Sequence, residues 1–141
     1  MNLFAEIRSL VLASLQHMQA QGNLPHGLSF DSVTVEPPRD LTHGDMATNA
    51  AMALAKPSKN KPRDIADKLA ALLAADGRVE SVDVAGPGFL NLRLSPKVWS
   101  DVLGAILVDP IGFGRAGTGA GIKVNVEYVS ANPTGPLHVG H

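Results

Sequence analysis

The sequence predicts an α+β fold in two layers, a small and mainly antiparallel sheet with helices on one face. Three observations carry that prediction. Segments 79–85 and 89–94 are joined by the tight turn AGPG, and strands joined so closely must run antiparallel. Four further segments carry apolar residues at helical spacing. The resulting order (helix, strand, helix, helix, strand, strand, helix) lacks the regular strand–helix alternation of a doubly wound parallel sheet.

Each element has its own local signal. Leu3, Phe4, Ile7, Leu10, Val11, Leu15 and Met18 share one face of a helix over 2–20, which Gly22 and Pro25 end. Residues 32–36, SVTVE, alternate and are β-branched, so they read as a short strand that Pro37 and Pro38 stop. Asp45 is placed to cap a second helix running to about Lys56, where Pro57 forbids continuation. A basic turn, PSKNKPRD, follows. Pro62 opens a third helix to about Asp76, with Ile65, Leu69, Leu72 and Leu73 on one face and Gly77 beyond its end. After the two hairpin strands, a fourth helix over about 96–107 presents Val98, Trp99, Val102, Leu103 and Ile106 to a core. Residues 110–121 then carry five glycines, the composition of a flexible linker, so a domain boundary is expected near residue 110.

Composition bounds the function. The chain has 141 residues, 45% hydrophobic and 18% charged, as expected of one soluble globular domain. Its net charge of −1 excludes a global positive field, though not a local basic surface. The absence of cysteine removes disulfides and thiolate zinc sites and fits a reducing, cytoplasmic setting. No segment approaches the ~18 apolar residues of a membrane helix. Glu6 and Arg8 interrupt the N-terminal apolar residues too early for a secretion signal.

The last stretch, KVNVEYVSANPTGPLHVGH, joins an alternating segment to a Ser/Asn/Pro/Thr/Gly loop bearing two histidines. In an open α/β sheet such loops lie at strand carboxyl ends, where ligands bind. His138 and His141 are suited to donate hydrogen bonds to a phosphate whose charge rises during transfer. Gly140 has no β-carbon to keep a flat adenine from the backbone, and Ser130 and Asn132 offer short polar groups for a zwitterion. Against these stand plainer readings: a metal pair for His138 and His141, ordinary loop histidines, and a solvated strand position for Glu127.

His138-Val139-Gly140-His141 resembles the His-Ile-Gly-His signature of class I aminoacyl-tRNA synthetases and related nucleotidyl transferases, with valine replacing isoleucine. The longer string VEYVSANPTGPLHVGH, residues 126–141, resembles the arginyl-tRNA synthetases in particular. GDMATNAAMALAK (44–56), NKPRDIADKL (60–69) and VAGPGFLNLRL (84–94) resemble the N-terminal additional domain of that family. The second class I signature and an anticodon-binding domain are absent from the sequence.

The resemblance implies an additional domain over 1–109, a linker over 110–121, and over 122–141 the first strand and loop of a truncated Rossmann catalytic domain. It implies arginine–tRNA ligase activity for a full-length protein: arginine and ATP, with Mg2+, give arginyl-adenylate, and the arginyl group passes to tRNA(Arg). His138 and His141 would be catalytic, and His138, Gly140 and His141 would bind ATP. Glu127, Ser130, Asn132 and His138 would contact arginine. The additional domain would meet the tRNA elbow at the D-loop through the hairpin. Phe89 would stack on an unpaired base and Asn91, on the same strand face, would bond its edge. Phe89 as a core residue is the competing reading.

Lys59, Lys61 and Arg63, with Lys56, form the densest basic cluster, suited to phosphate or simply to a solvated helix junction. The 141 residues alone are expected to be inactive, to hold no metal or tightly bound cofactor, to avoid membranes and to be monomeric, save for association through the tail. Another nucleotidyl transferase of the same signature and a free-standing RNA-binding or interaction module are the alternatives.

Overall fold

The computed structural model of the chain describes residues 2–38, 40–117, 119–131, 135–136 and 138–139. Helix α1, Leu3–Ala20, is capped by Asn2, whose side-chain oxygen accepts the Ala5 N–H at 3.1 Å. Its Ile7, Val11, Leu15 and Met18 are buried, the face that the apolar spacing predicts. At about 1.5–3 kcal/mol per fully buried aliphatic side chain, this face is what holds α1 on the sheet. The Arg8 Nε also donates to the Val33 carbonyl at 2.9 Å, tying the helix to the approach of the first strand.

Strands β1 (Val35–Glu36), β2 (Met46–Thr48), β3 (Val79–Ala85) and β4 (Phe89–Leu94) form one sheet in the order β1-β2-β4-β3, antiparallel throughout. Helices α2 (Ala50–Ser58) and α3 (Pro62–Ala74) separate β2 from β3 in sequence and pack with α1 on one face. Met46, Thr48, Leu90, Leu92 and Leu94 point into that layer and are buried. The opposite face is open, so the domain is a two-layer α+β structure as predicted. Among the described residues, no helix is long and apolar enough to cross a membrane.

Five local expectations change. Asp45 does not cap a helix. It precedes β2, its N–H donates to the Leu92 carbonyl at 2.8 Å, and its Oδ2 accepts the Leu94 N–H at 2.8 Å. A β-carbon on the preceding Gly44, at φ +129, would lie 2.6 Å from the Leu92 oxygen, so glycine is what lets this segment approach β4. Pro57 does not stop α2, because it falls in the last turn, and Ser58 Oγ donates to the Leu54 carbonyl at 2.6 Å before Lys59 turns left-handed at φ 57.

The first strand is shorter than SVTVE. The Asn49 side chain takes the Thr34 N–H at 2.9 Å and donates to the Ser32 carbonyl at 3.0 Å, replacing a ladder there. Finally, α4 (Pro96–Val108) buries only Val98, while Trp99 is 45% and Leu103 56% exposed. The helix face of the sheet is already covered by α1–α3, so α4 leaves the end of β4 with little left to cover. Residues 122–129, expected as a strand, are exposed and pair with none, and extended backbone becomes a strand only by pairing.

Candidate nucleic-acid interface

The open sheet face is built by register. Because Leu90, Leu92 and Leu94 face the helices, Phe89, Asn91 and Arg93 of β4 face outward. Asn91 pairs with Asp83 of β3 on one side and with Ala47 of β2 on the other, and Ala47 pairs with Glu36 of β1. One row therefore crosses all four strands. Phe89 pairs with Ala85 one step along, and its ring is 43% exposed. That exposure decides against the core reading of Phe89.

Phe89, Asn91, Ala47, Asn49, Thr34 and Glu36 line a groove of about 710 Å³ on this face, closed at the β1 side by Pro37, Pro38, Asp40 and His43. Asp40 accepts the Thr42 N–H at 2.9 Å and the Thr42 hydroxyl at 2.8 Å. The backbone N–H first, and the hydroxyl with it, hold the Asp40 carboxyl below its ordinary value, so this side of the groove stays anionic at neutral pH.

Outside the groove, whose lining holds no Lys or Arg, lies a basic helix junction. A β-carbon on Gly88, at φ +140, would sit 3.1 Å from Pro62 Cβ, so the hairpin turn rests on the start of α3. That contact sets Phe89 beside the junction bearing Lys59, Lys61 and Arg63, all exposed. Arg63 is partly engaged: its Nη1 donates to the Val84 carbonyl at 3.2 Å and its Nε lies 3.2 Å from Asp67 Oδ1. An exposed aromatic ring, an outward amide and a basic margin are the parts with which proteins take single-stranded nucleic acid.

Of the residues that line this groove, sequence reasoning singled out Phe89 and Asn91. It missed Ala47, Asn49 and Glu36, because the segment holding Ala47 and Asn49 reads as a helix start and only the register brings the three to the groove. A second groove, of about 340 Å³ at the start of α4, has its charges paired: Arg78 with Asp76 at 2.8 Å and Lys97 with Asp101 at 2.7 Å. Lys59, Lys61 and Arg63 line neither groove.

Glu127, Ser130 and His138 are exposed and line neither groove, while Asn132, Gly140 and His141 lie outside the described residues. Among the described residues, no group of three or more His, Asp or Glu side chains is placed to hold a metal ion.

Known proteins are similar to this chain in sequence and fold. A family model described as the arginyl tRNA synthetase N terminal domain matches residues 5–94, from the first turn of α1 to the end of β4. A curated arginine–tRNA ligase of Ruegeria pomeroyi is 67% identical over 141 residues, all of this chain and 24% of that protein. The corresponding ligase of Roseobacter denitrificans is 66% identical with the same coverage. The chain thus spans about a quarter of the length of these relatives, 24% in both cases. Among solved structures, the arginyl-tRNA synthetase of Plasmodium falciparum superposes with a TM-score of 0.57 at 17% identity, over 68% of this chain and 16% of that one. The Thermus thermophilus arginyl-tRNA synthetase gives 0.55 at 24% identity, over 72% and 16%. At these identities the two structures speak to the fold alone.

Proposed function

The chain belongs to the family of arginyl-tRNA synthetase N-terminal domains, and from that premise we propose that it is the N-terminal part of an arginine–tRNA ligase and binds the elbow of tRNA(Arg) with its open sheet face. The observation that carries this is the exposed Phe89 ring, which shares a groove with the outward Asn91 amide and follows a turn that rests on Pro62, next to Lys61 and Arg63. An unpaired base stacks on Phe89, Asn91 bonds its edge, and the basic junction neutralises nearby phosphates. Residues 1–109 form the RNA-binding unit, 110–121 a linker, and 122–141 the first segment of the catalytic domain.

Activation of arginine belongs to the longer protein in this proposal. Its ATP would meet His138, Gly140 and His141, with His138 and His141 stabilising the reacting phosphate, and its arginine would meet Glu127, Ser130, Asn132 and His138. A class I site needs donors from both halves of a Rossmann domain, and residues 122–141 supply one loop, so the 141-residue chain is expected to catalyse no arginine-dependent ATP–pyrophosphate exchange. The setting that the sequence suggests is cytoplasmic.

The test is fluorescence anisotropy with a labelled arginine tRNA transcript, titrated with the 141-residue chain at several salt concentrations. Phe89→Ala should fold, since its ring is already half exposed, and should weaken binding about tenfold or more, the loss of one stacked base. Equal affinity of native and variant chains, or no binding by the native chain, would sink the proposal.

A further inference from the structure

The row that crosses the sheet is Asp83, Asn91, Ala47, Glu36, one residue from each strand. Neighbouring strands lie roughly 4.8 Å apart, so Asn91 and Glu36 stand roughly 10 Å apart with only the Ala47 methyl between them. On one side of this gap rises the Phe89 ring. In the adjacent row lies Asn49, immobilised by its two bonds to the backbone of residues 32 and 34, at 3.0 and 2.9 Å. The gap therefore has a rigid wall, two polar ends and a shallow floor, and Asn91, Ala47, Glu36, Phe89 and Asn49 all line the same groove.

We propose that Ala47 is a specificity-determining residue: its methyl is the floor over which an unpaired nucleobase, stacked on Phe89, slides its edge between Asn91 and Glu36. This rests on the RNA-binding function proposed above. Packing does not require alanine here. Position 47 faces outward, is partly exposed, and is flanked by Met46 and Thr48, which are buried. Sheet preference points away from alanine, since β-branched residues favour strands. What alanine provides is empty space above the sheet. A valine would raise branched methyls into the gap and leave no room for a flat ring, while its backbone would suit β2 as well or better. A serine would keep the gap open.

The experiment compares the native 141-residue chain with Ala47→Val, Ala47→Thr and Ala47→Ser, measuring the melting temperature of each and its affinity for the labelled arginine tRNA transcript. Both β-branched variants should melt at or above the native temperature and bind about tenfold or more weakly, losing the one stacked base. The serine variant should bind within about twofold of the native chain. Two β-branched variants guard against one misfolding, and threonine separates polarity from bulk. Native-like binding by a folded Ala47→Val or Ala47→Thr chain overturns the inference while Phe89→Ala still weakens binding. If Phe89→Ala has no effect, or the native chain does not bind, the RNA-binding function itself fails and Ala47 fails with it.

Discussion

Asp45 holds β4 in place, and replacing it by alanine measures by how much. Its Oδ2 accepts the Leu94 N–H at 2.8 Å, while its own N–H donates to the Leu92 carbonyl at 2.8 Å. Alanine keeps the backbone bond and deletes the acceptor. A hydrogen bond to a charged group contributes about 1.5–3 kcal/mol, and an orphaned buried N–H costs a similar amount. Asp45 is only half-buried, so water reaches the vacated position and the loss should sit low in that range, at ~1–2 kcal/mol. For a domain of about 100 residues, each kcal/mol lowers the melting temperature by roughly 4–8 °C, so Asp45→Ala should melt about 10 °C below the native chain.

Asparagine retains an acceptor oxygen, so Asp45→Asn should recover more than half of the difference. Thermal unfolding by circular dichroism reads the magnitude, and amide hydrogen exchange reads the location. The local excess of exchange should appear at Leu94, and α2 should follow only the global change. Fast exchange confined to the first turn of α2, with Leu94 still protected, would mean that Asp45 caps the helix after all. A melting temperature within about 2 °C of native would refute the strength assigned to the bond.

Two further outcomes follow from the edges of the domain. Leu103, 56% exposed on α4, should tolerate serine with a stability change within about 0.5 kcal/mol, whereas Leu92→Ala, at a fully buried position, should cost about 2–5 kcal/mol in the same urea titration. The Arg78 guanidinium, bonded to both oxygens of Asp76 at 2.8 and 2.9 Å, holds that carboxyl below its ordinary value. A depressed folded-state pKa contributes stability above the unfolded value, near about 3.9, and loses it as pH falls through the folded value. Asp76→Ala should therefore be less stable than native at pH 7 by at most about 1 kcal/mol, since the pair is partly solvated. The difference should shrink as pH falls through the folded value, and a difference that grew on acidification would refute the pairing.

Legibility in the sequence followed the length over which a residue's partners extend. Helices α1 and α3 and the β3–β4 hairpin were readable because their periodicity runs over several turns or two full strands within one stretch of chain. Strand β2 was not readable, because three residues show too little alternation to compete with the helix signal of MATNAAMALA. It is a strand because Gly44 and Asp45 bring it against β4, a partner more than forty residues away in sequence. Solvent exposure of α4 was equally hidden, since an apolar stripe predicts burial only where some surface remains to be covered.

The candidate interface divides along the same line. Phe89 and Asn91 share a strand, so their common face follows from a period of two. Ala47 and Glu36 join them only through two successive strand pairings, each fixed by tertiary contact rather than by local sequence. A groove made this way is sensitive to register. A shift of β2 by one residue would turn Met46 or Thr48 outward and carry Ala47 into the core. The Asp45 bond to Leu94 opposes that shift, and the Thr48 hydroxyl, donating to the Thr34 carbonyl at 2.7 Å, opposes it from the other side. The residues that hold β2 in register are thus the ones that keep a methyl, and not a larger side chain, beside Phe89.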